Sequence, residues 1–315
     1  MLNYIFKENI IKILSLLIIF LVSLFPESAF AGIGKGHVKV KMQYNWEERP
    51  YIAYIPDGIR KKRKKNASLF VVLHGGMGSS KHIAEISKFS KYADEMNFVV
   101  VYPQGKFKNW NAGDCCSNLI ENKGSPPDDV GYIKEVIKNA SKRFDINRDK
   151  VYVVGVSNGG MMAYRIGCEL ADVIKGIGVV AGNMQYPDCN PSEPIDVLII
   201  HAKDDENTPY YGGVPKKGIR SKLKRDIYDK PIMETAVFWS ENNNCQSFSI
   251  ATTRNEYSTY TCHGKKDARV KLILLDAGGH TWYGGNFLKR VRKLIVKIPF
   301  PIESTKELLD FFLDY

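Results

Sequence analysis

Gly155-Val156-Ser157-Asn158-Gly159 is a Gly-x-Ser-x-Gly pentapeptide, a spacing that can present a serine hydroxyl as a nucleophile. The hydroxyl is a weak nucleophile unless a base takes its proton, and its attack on a carbonyl creates an oxyanion that needs donors. The pentapeptide follows an apolar run, Val151 to Val156, and opens a helical stretch that begins Gly159-Gly160-Met161-Met162. That setting matters more than the five residues themselves. A nucleophile on a tight strand-to-helix turn needs small neighbours so that the backbones can approach. The helix N-terminus then turns its positive end toward the site.

The other parts of such a site lie at the ends of further apolar runs. Ile273 to Asp276 leads into Ala277-Gly278-Gly279-His280-Thr281-Trp282, and a histidine flanked by glycines in a strand-end loop is a candidate base. His37, His74, His82, His201 and His263 are weaker candidates. Val197 to His201 is followed by Ala202-Lys203-Asp204-Asp205, which offers two adjacent acids that spacing alone does not separate. His74-Gly75-Gly76 follows Ser68 to Leu73 and can supply one oxyanion donor, the N–H of Gly76 with Met77 as alternate, beside the N–H of Asn158. The order is serine, then acid, then histidine, and no cofactor or metal is required by this chemistry.

The elements that must position these residues alternate strand and helix. Val38 to Tyr44 and Tyr51 to Ile55 read as an antiparallel pair. Ser68 to Leu73, Phe98 to Tyr102, Val151 to Val156, Ile174 to Val180, Val197 to His201 and Val270 to Asp276 are continuous apolar runs of buried-strand type. Ile83, Ile86, Phe89, Tyr92 and Met96 recur at helical spacing and predict one helix. A long loop, Pro103 to Pro127, leads to a helix capped by Asp128 or Asp129 and carrying Val130, Ile133, Ile137 and Phe144. Asn158 to Leu170, Pro231 to Asn242 and Ser304 to Leu313 are further helices, and Phe248 to Tyr260 reads as a hairpin. Such alternation predicts an α/β fold with a mostly parallel sheet and helices on both faces.

Length and composition suit one catalytic domain behind an export signal. The chain has 315 residues, 44% hydrophobic and 25% charged, which allows a sizeable core. Lys7 and Lys12 stand before or at the start of an apolar run, Ile13 to Phe25, and Ala29-Phe30-Ala31 follows. That pattern predicts a cleaved signal peptide over 1–31 and a single domain over 32–315, with no membrane anchor after cleavage. Six cysteines in the mature part fit an extracellular or periplasmic address and favour disulfides over a metal site. Cys245 and Cys262 bracket the expected hairpin and are expected to pair; Cys115 and Cys116 would then pair with Cys168 and Cys189 in an unassigned order. Net charge is +11, concentrated at Arg60 to Lys65, Lys216 to Arg225 and Lys289 to Lys293. No recognition motif accompanies it, so these clusters are read as solvated charge and nucleic acid is not expected as a partner.

Several stretches together resemble the polyhydroxybutyrate depolymerase and feruloyl/acetylxylan esterase group, carbohydrate esterase family one. They are Leu73-His74-Gly75-Gly76, Trp110-Asn111-Ala112-Gly113-Asp114-Cys115-Cys116, Asp128-Asp129-Val130-Gly131-Tyr132, Gly155 to Glu169, His201 to Gly213, and Gly278-Gly279-His280-Thr281-Trp282. The resemblance implies an α/β-hydrolase fold and a secreted serine carboxylic ester hydrolase acting through an acyl-enzyme. The family pattern of His, a small residue, two variable residues and Asp, followed by Val-Pro-Tyr or similar, lies over His201 to Tyr210 and implies Asp205 as the acid. Ala202 in place of Gly, the second carboxylate Asp204, and Tyr283 where Pro often follows the Trp are departures. Ser157, Asp205 and His280 are therefore expected as the catalytic triad. Trp110 and Trp282, with Met77 and Tyr283, are candidates for lining the substrate pocket. The expected partner is an ester: a small ester, a plant polysaccharide ester or a hydroxyalkanoate oligomer. Two other readings share the fold, a catalytically silent binding protein and a peptidase; retention of all three triad residues disfavours the first.

Overall fold

The computed structural model describes residues 36–62, 66–116, 125–222, 227–254, 256–286 and 300–314. The expected signal peptide, residues 1–31, and the basic cluster Lys289 to Lys293 lie outside the described residues, and the other two basic clusters are described only in part. From Gly36 to Tyr315 the chain gathers into one compact unit.

His37–Val40 (β1), a small hairpin of Gln43–Tyr44 (β2) and Glu47–Glu48 (β3), and Tyr51–Tyr54 (β4) come first, with β1 antiparallel to β4. The continuous apolar runs then become Ala67–Leu73 (β5), Val99–Pro103 (β6), Ile146–Val156 (β7), Gly176–Val180 (β8) and Asp196–Ala202 (β9). Ser249–Thr253 (β10), Tyr257–His263 (β11) and Arg269–Leu275 (β12) complete the set. One sheet runs β1-β4-β6-β5-β7-β8-β9-β12-β11-β10. Neighbours from β6 to β12 are parallel, while β4 pairs antiparallel with β6 and β11 with both β12 and β10. The chain leaves β5 for β6 on one side and returns to β7 on the other. The crevice at the C-terminal ends of β5 and β7 is therefore a topological switch point, where ligands of open α/β sheets bind.

The helices are Asp57–Lys62 (α1), Ser80–Ser87 (α2), Phe89–Met96 (α3), Asp129–Phe144 (α4), Asn158–Glu169 (α5), Ile232–Asn242 (α6) and Ser304–Leu313 (α7). Because side chains alternate along a strand, Leu69, Val71 and Leu73 join one core with residues of α4, α5 and α6 such as Ile133, Met162 and Trp239. Phe70 points to the other face, with ring centroids 5.3 Å from Phe89, 4.9 Å from Phe98 and 5.0 Å from Tyr152. On that face α7 lies close against β8, because a Cβ at Gly178 would meet Leu308 at 2.3 Å.

Two features differ from the sequence reading. The single helix expected over Ile83 to Met96 is two, α2 and α3, broken at Lys88, whose backbone is left-handed at φ 61°. The break carries Lys88 to Glu303 at the start of α7, with Nζ 2.7 Å from Oε2. The cysteines also pair differently. Cys245 joins Cys262 as expected, and Cys168 joins Cys189, while Cys115 joins Cys116. The end of α5 and the loop after β8 bring Cys168 and Cys189 to a Cα separation of 4.9 Å, within bridging range, so neither is left for Cys115 or Cys116.

At the end of β5 the ring of His74 is fully buried and joins two loops. Its Nδ1–H donates to Gly75 O at 2.8 Å, and its Nε2 accepts from the Gly105 N–H at 3.0 Å. The second bond requires the neutral ring, and burial pushes its pKa from 6.5 down to about 4.

Two outcomes follow from these contacts. Serine at both Cys245 and Cys262, which close a loop of 17 residues, should lower unfolding free energy by about 3 kcal/mol in urea titrations, with the first two-state midpoint falling accordingly. His74 has a depressed folded-state pKa, so its contribution to stability is complete above about pH 6.5 and is lost as pH falls toward 4. The urea midpoint should decline over that window, and His74→Asn should flatten the decline. Equal slopes for both proteins would contradict this assignment.

Candidate active site

Ser157 sits between β7 and α5 with φ 55° and ψ −126°, a conformation side chains rarely adopt. Its N–H donates to Val180 O at 2.9 Å, which holds the turn to the neighbouring strand. The flanking glycines are a steric necessity. A Cβ at Gly155 would lie 2.3 Å from Gly159 O, and one at Gly159 would lie 2.4 Å from His74 O. The helix therefore starts directly against the ends of β5 and β7.

The structure brings Ser157, His280 and Asp205 into one hydrogen-bonded line. Ser157 Oγ is 2.8 Å from His280 Nε2, and His280 Nδ1 is 2.8 Å from Asp205 Oδ2. Asp205 is buried, and its Oδ1 accepts from the N–H groups of Asn207 at 2.8 Å and Thr208 at 3.0 Å. Burial alone would raise its pKa, but the hydrogen bond and charge of His280, with His201 and the Thr208 N–H, hold it below the ordinary carboxylate value. The carboxylate thus stays ionised beside the His280 ring.

The two adjacent acids point to different tasks. Asp204 is exposed, and its Oδ1 accepts from Gly278 N–H at 2.9 Å and Gly279 N–H at 2.8 Å. Asp204 thus ties the histidine loop to the β9 loop, while Asp205 meets the ring. Tyr283 is fully buried and donates from its hydroxyl to Gly279 O at 3.0 Å, a further tie on that loop.

Trp110 and Trp282 differ from the sequence expectation. Both indoles are buried, and neither lines the cavity over Ser157. Trp110 Nε1–H donates to His74 O at 2.8 Å, and Trp282 Nε1–H donates to Thr305 Oγ1 at 3.0 Å. A buried indole needs a partner for its N–H, and each finds one in the framework. Tyr283 is likewise outside the lining, whereas Met77 belongs to it.

The loop carrying Trp110 to Cys116 is pinned by polar side chains. Asn158 Oδ1 accepts from Trp110 N–H at 2.7 Å and its Nδ2 donates to Trp110 O at 3.0 Å. Arg165 Nη1 donates to Asn111 O at 2.9 Å, and Asp129 Oδ2 accepts from Asn111 N–H at 2.8 Å. Asp129 is itself paired with Arg49, 2.7 Å away and buried, whose guanidinium lies 3.7 Å over the Tyr132 ring. These contacts account for the Asp128 to Tyr132 and Ser157 to Arg165 stretches.

A cavity of about 270 Å³ opens on Ser157 and His280. Met77, Cys116, Met161 and Ile219 give it a sulfur-rich and aliphatic wall; Asn109, Asn207, Lys217 and Arg220 give it a polar one. Arg220 is clamped behind that wall by Asp229, with Nη1 3.0 Å from Oδ2, and Gln185 donates to the same carboxylate at 2.9 Å. No sequence signal marked this clamp, because an Arg and an Asp nine residues apart in a loop carry no pattern. A larger groove, about 530 Å³, runs along β11 and β12 and contains none of these residues.

The chain is similar to several known proteins. The family described as esterase PHB depolymerase matches residues 49–205. NocK of Nocardia uniformis subsp. tsuyamanensis, which bears an esterase name, is 29% identical over 70% of this chain and 66% of its own. Feruloyl esterase B of Piromyces equi is 25% identical over 74% of this chain and 42% of its own. The alignments thus leave a third or more of each of these relatives unmatched. Among solved structures, an acetyl xylan esterase from Aspergillus awamori superposes with TM-score 0.54 at 14% identity, over 82% of this chain and 97% of that one. At that identity the likeness speaks to the fold, which is α/β-hydrolase with a mostly parallel sheet. Over residues 49–205 the chain matches the esterase PHB depolymerase family, and its fold is that of the α/β-hydrolases.

Proposed function

We propose that this chain is an exported serine esterase in which Ser157 is the nucleophile, His280 the base and Asp205 the acid that orients the base. The observation that carries the reading is the unbroken line from Ser157 Oγ to His280 to Asp205, with 2.8 Å at each step. His280 Nε2 takes the serine proton as Oγ attacks the ester carbonyl, and Asp205 holds the tautomer with the proton on Nδ1. The oxyanion is held by the N–H of Asn158, at the start of α5, and by that of Gly76. Met77 is the lesser candidate because its N–H already donates to Asn109 Oδ1 at 3.3 Å. His280 then protonates the leaving alcohol, and water repeats the sequence to release the acid.

Three disulfides among the described residues support an oxidising address, and no helix among those residues is long and apolar enough to cross a membrane. A cavity of about 270 Å³ is at the lower end for small-molecule sites and suits a short acyl group. Among the described residues its lining has no Phe, Tyr or Trp ring to stack on a feruloyl group. The relatives named for feruloyl and acetyl xylan esters therefore point this chain toward the acetyl end of their range.

Hydrolysis of p-nitrophenyl acetate and butyrate, methyl ferulate, acetylated xylan and 3-hydroxybutyrate oligomers tests the reading directly. The expected order is acetate above butyrate and ferulate. Ser157→Ala should lower kcat by at least about 10³-fold, and a fluorophosphonate should label the wild type at one site and the variant at none. Asp205→Asn should reduce kcat by about 10⁴-fold, whereas Asp204→Asn, which keeps an acceptor oxygen, should stay within about tenfold. Comparable losses in the two aspartate variants would remove the distinction drawn between them.

A further inference from the structure

Thr208 stands where three parts of the acid loop converge. It is 1% exposed, and its N–H donates to Asp205 Oδ1 at 3.0 Å. Its carbonyl accepts from His201 Nε2–H at 2.8 Å, which anchors the loop to the end of β9. Its hydroxyl donates to Asp205 Oδ2 at 2.8 Å, and that same oxygen accepts from His280 Nδ1–H at 2.8 Å. Thr208 Oγ1 also lies 3.4 Å from His280 Nδ1 and 3.2 Å from Ala181 O. The hydroxyl has one proton to give, and the shortest of these contacts assigns it to the carboxylate.

We propose that Thr208 is a positioning residue whose hydroxyl competes with His280 for Asp205 Oδ2 and so sets the lower pH limit of catalysis. The inference rests on the triad reading above. A carboxylate oxygen that already accepts an O–H is a weaker acceptor for an imidazolium, so protonation of the base is less favoured and the base stays available at lower pH. The lone pair of Oγ1 toward Nδ1 acts in the opposite sense, but over 3.4 Å rather than 2.8 Å, and it is the smaller effect.

The other groups facing this carboxylate do not replace the hydroxyl. His201 Nε2 is 3.8 Å from Asp205 Oδ2, but the ring is fully buried, which favours its neutral form, and its N–H is given to Thr208 O. Tyr283 is buried and its hydroxyl is given to Gly279 O; burial keeps its phenol protonated. Asp204 is turned to Gly278 and Gly279, and Asp229, which acts on His201 only through its charge, is paired with Arg220. The backbone donors of Asn207 and Thr208 occupy the other oxygen, Oδ1.

The test is the pH profile of kcat/KM on p-nitrophenyl acetate for the wild type, Thr208→Val and Thr208→Ser. Valine keeps the shape and removes the hydroxyl; serine keeps the hydroxyl and removes the methyl. The acid limb of Thr208→Val should move up by at least about half a pH unit, roughly a threefold loss below the limb, and Thr208→Ser should restore the wild-type limb. Thr208→Ala gives the same reading should the valine variant not fold, and fluorophosphonate labelling at the plateau pH reports that the site is assembled. An unmoved limb in the hydroxyl-free variants overturns the proposal, as does an equal shift in Thr208→Ser, which would assign the effect to packing. Ser157→Ala measured alongside separates the two levels: hydrolysis that survives it would instead refute the triad reading.

Discussion

The site depends on one close backbone approach. Helix α5 begins so near the ends of β5 and β7 that no Cβ fits at Gly155 or Gly159. This contact puts Ser157 in its left-handed turn, aims the first N–H groups of α5 at the space above it, and brings the His74 to Gly76 loop alongside. A larger side chain at either glycine would push strand and helix apart and displace Ser157 and the first N–H groups of α5 together. The turn is strained, and it persists because its neighbours are fixed: Ser157 N–H is tied to β8, and the C-terminal ends of β5, β7 and β8 are buried.

Around that contact, polar side chains do most of the positioning. The loop from Gly105 to Cys116 has little regular structure, yet its backbone groups are taken up by His74, Asn158, Arg165 and Asp129. Buried backbone donors and acceptors need partners, and here the partners come from the helices and strands beneath. The wall of the cavity is thereby built on a rigid support. The same logic holds across the crevice, where Asp204 and Tyr283 hold the histidine loop and Thr208 holds the acid. Residues that resemble catalytic or binding groups in the sequence, His74, His201, Trp110 and Trp282, turn out to be these supports.

Much of this was legible in the residues. The apolar runs marked the central strands because strands covered on both faces carry no polar alternation, and the pentapeptide marked the turn because sterics allow few residues there. The segment over 83–96 misled, since helical periodicity continues across Lys88 while the backbone turns left-handed to reach Glu303. Cysteine pairing misled for a similar reason, because it follows from which ends of α5 and the β8 loop meet, and spacing along the chain does not encode that.

By itself, then, the sequence determined the alternating strand and helix pattern, the turn at Ser157 with its glycines, and the order in which Ser157, Asp205 and His280 follow along the chain. These are local properties, set by periodicity, steric allowance and residue type. Tertiary structure alone decided which tryptophans are buried and which side chains wall the cavity. It also decided that the Thr208 hydroxyl and the His280 ring meet the same oxygen of Asp205. Each of these depends on where a side chain ends in space relative to residues tens of positions away, and that is fixed only when the sheet closes and the loops at its C-terminal edge are packed together.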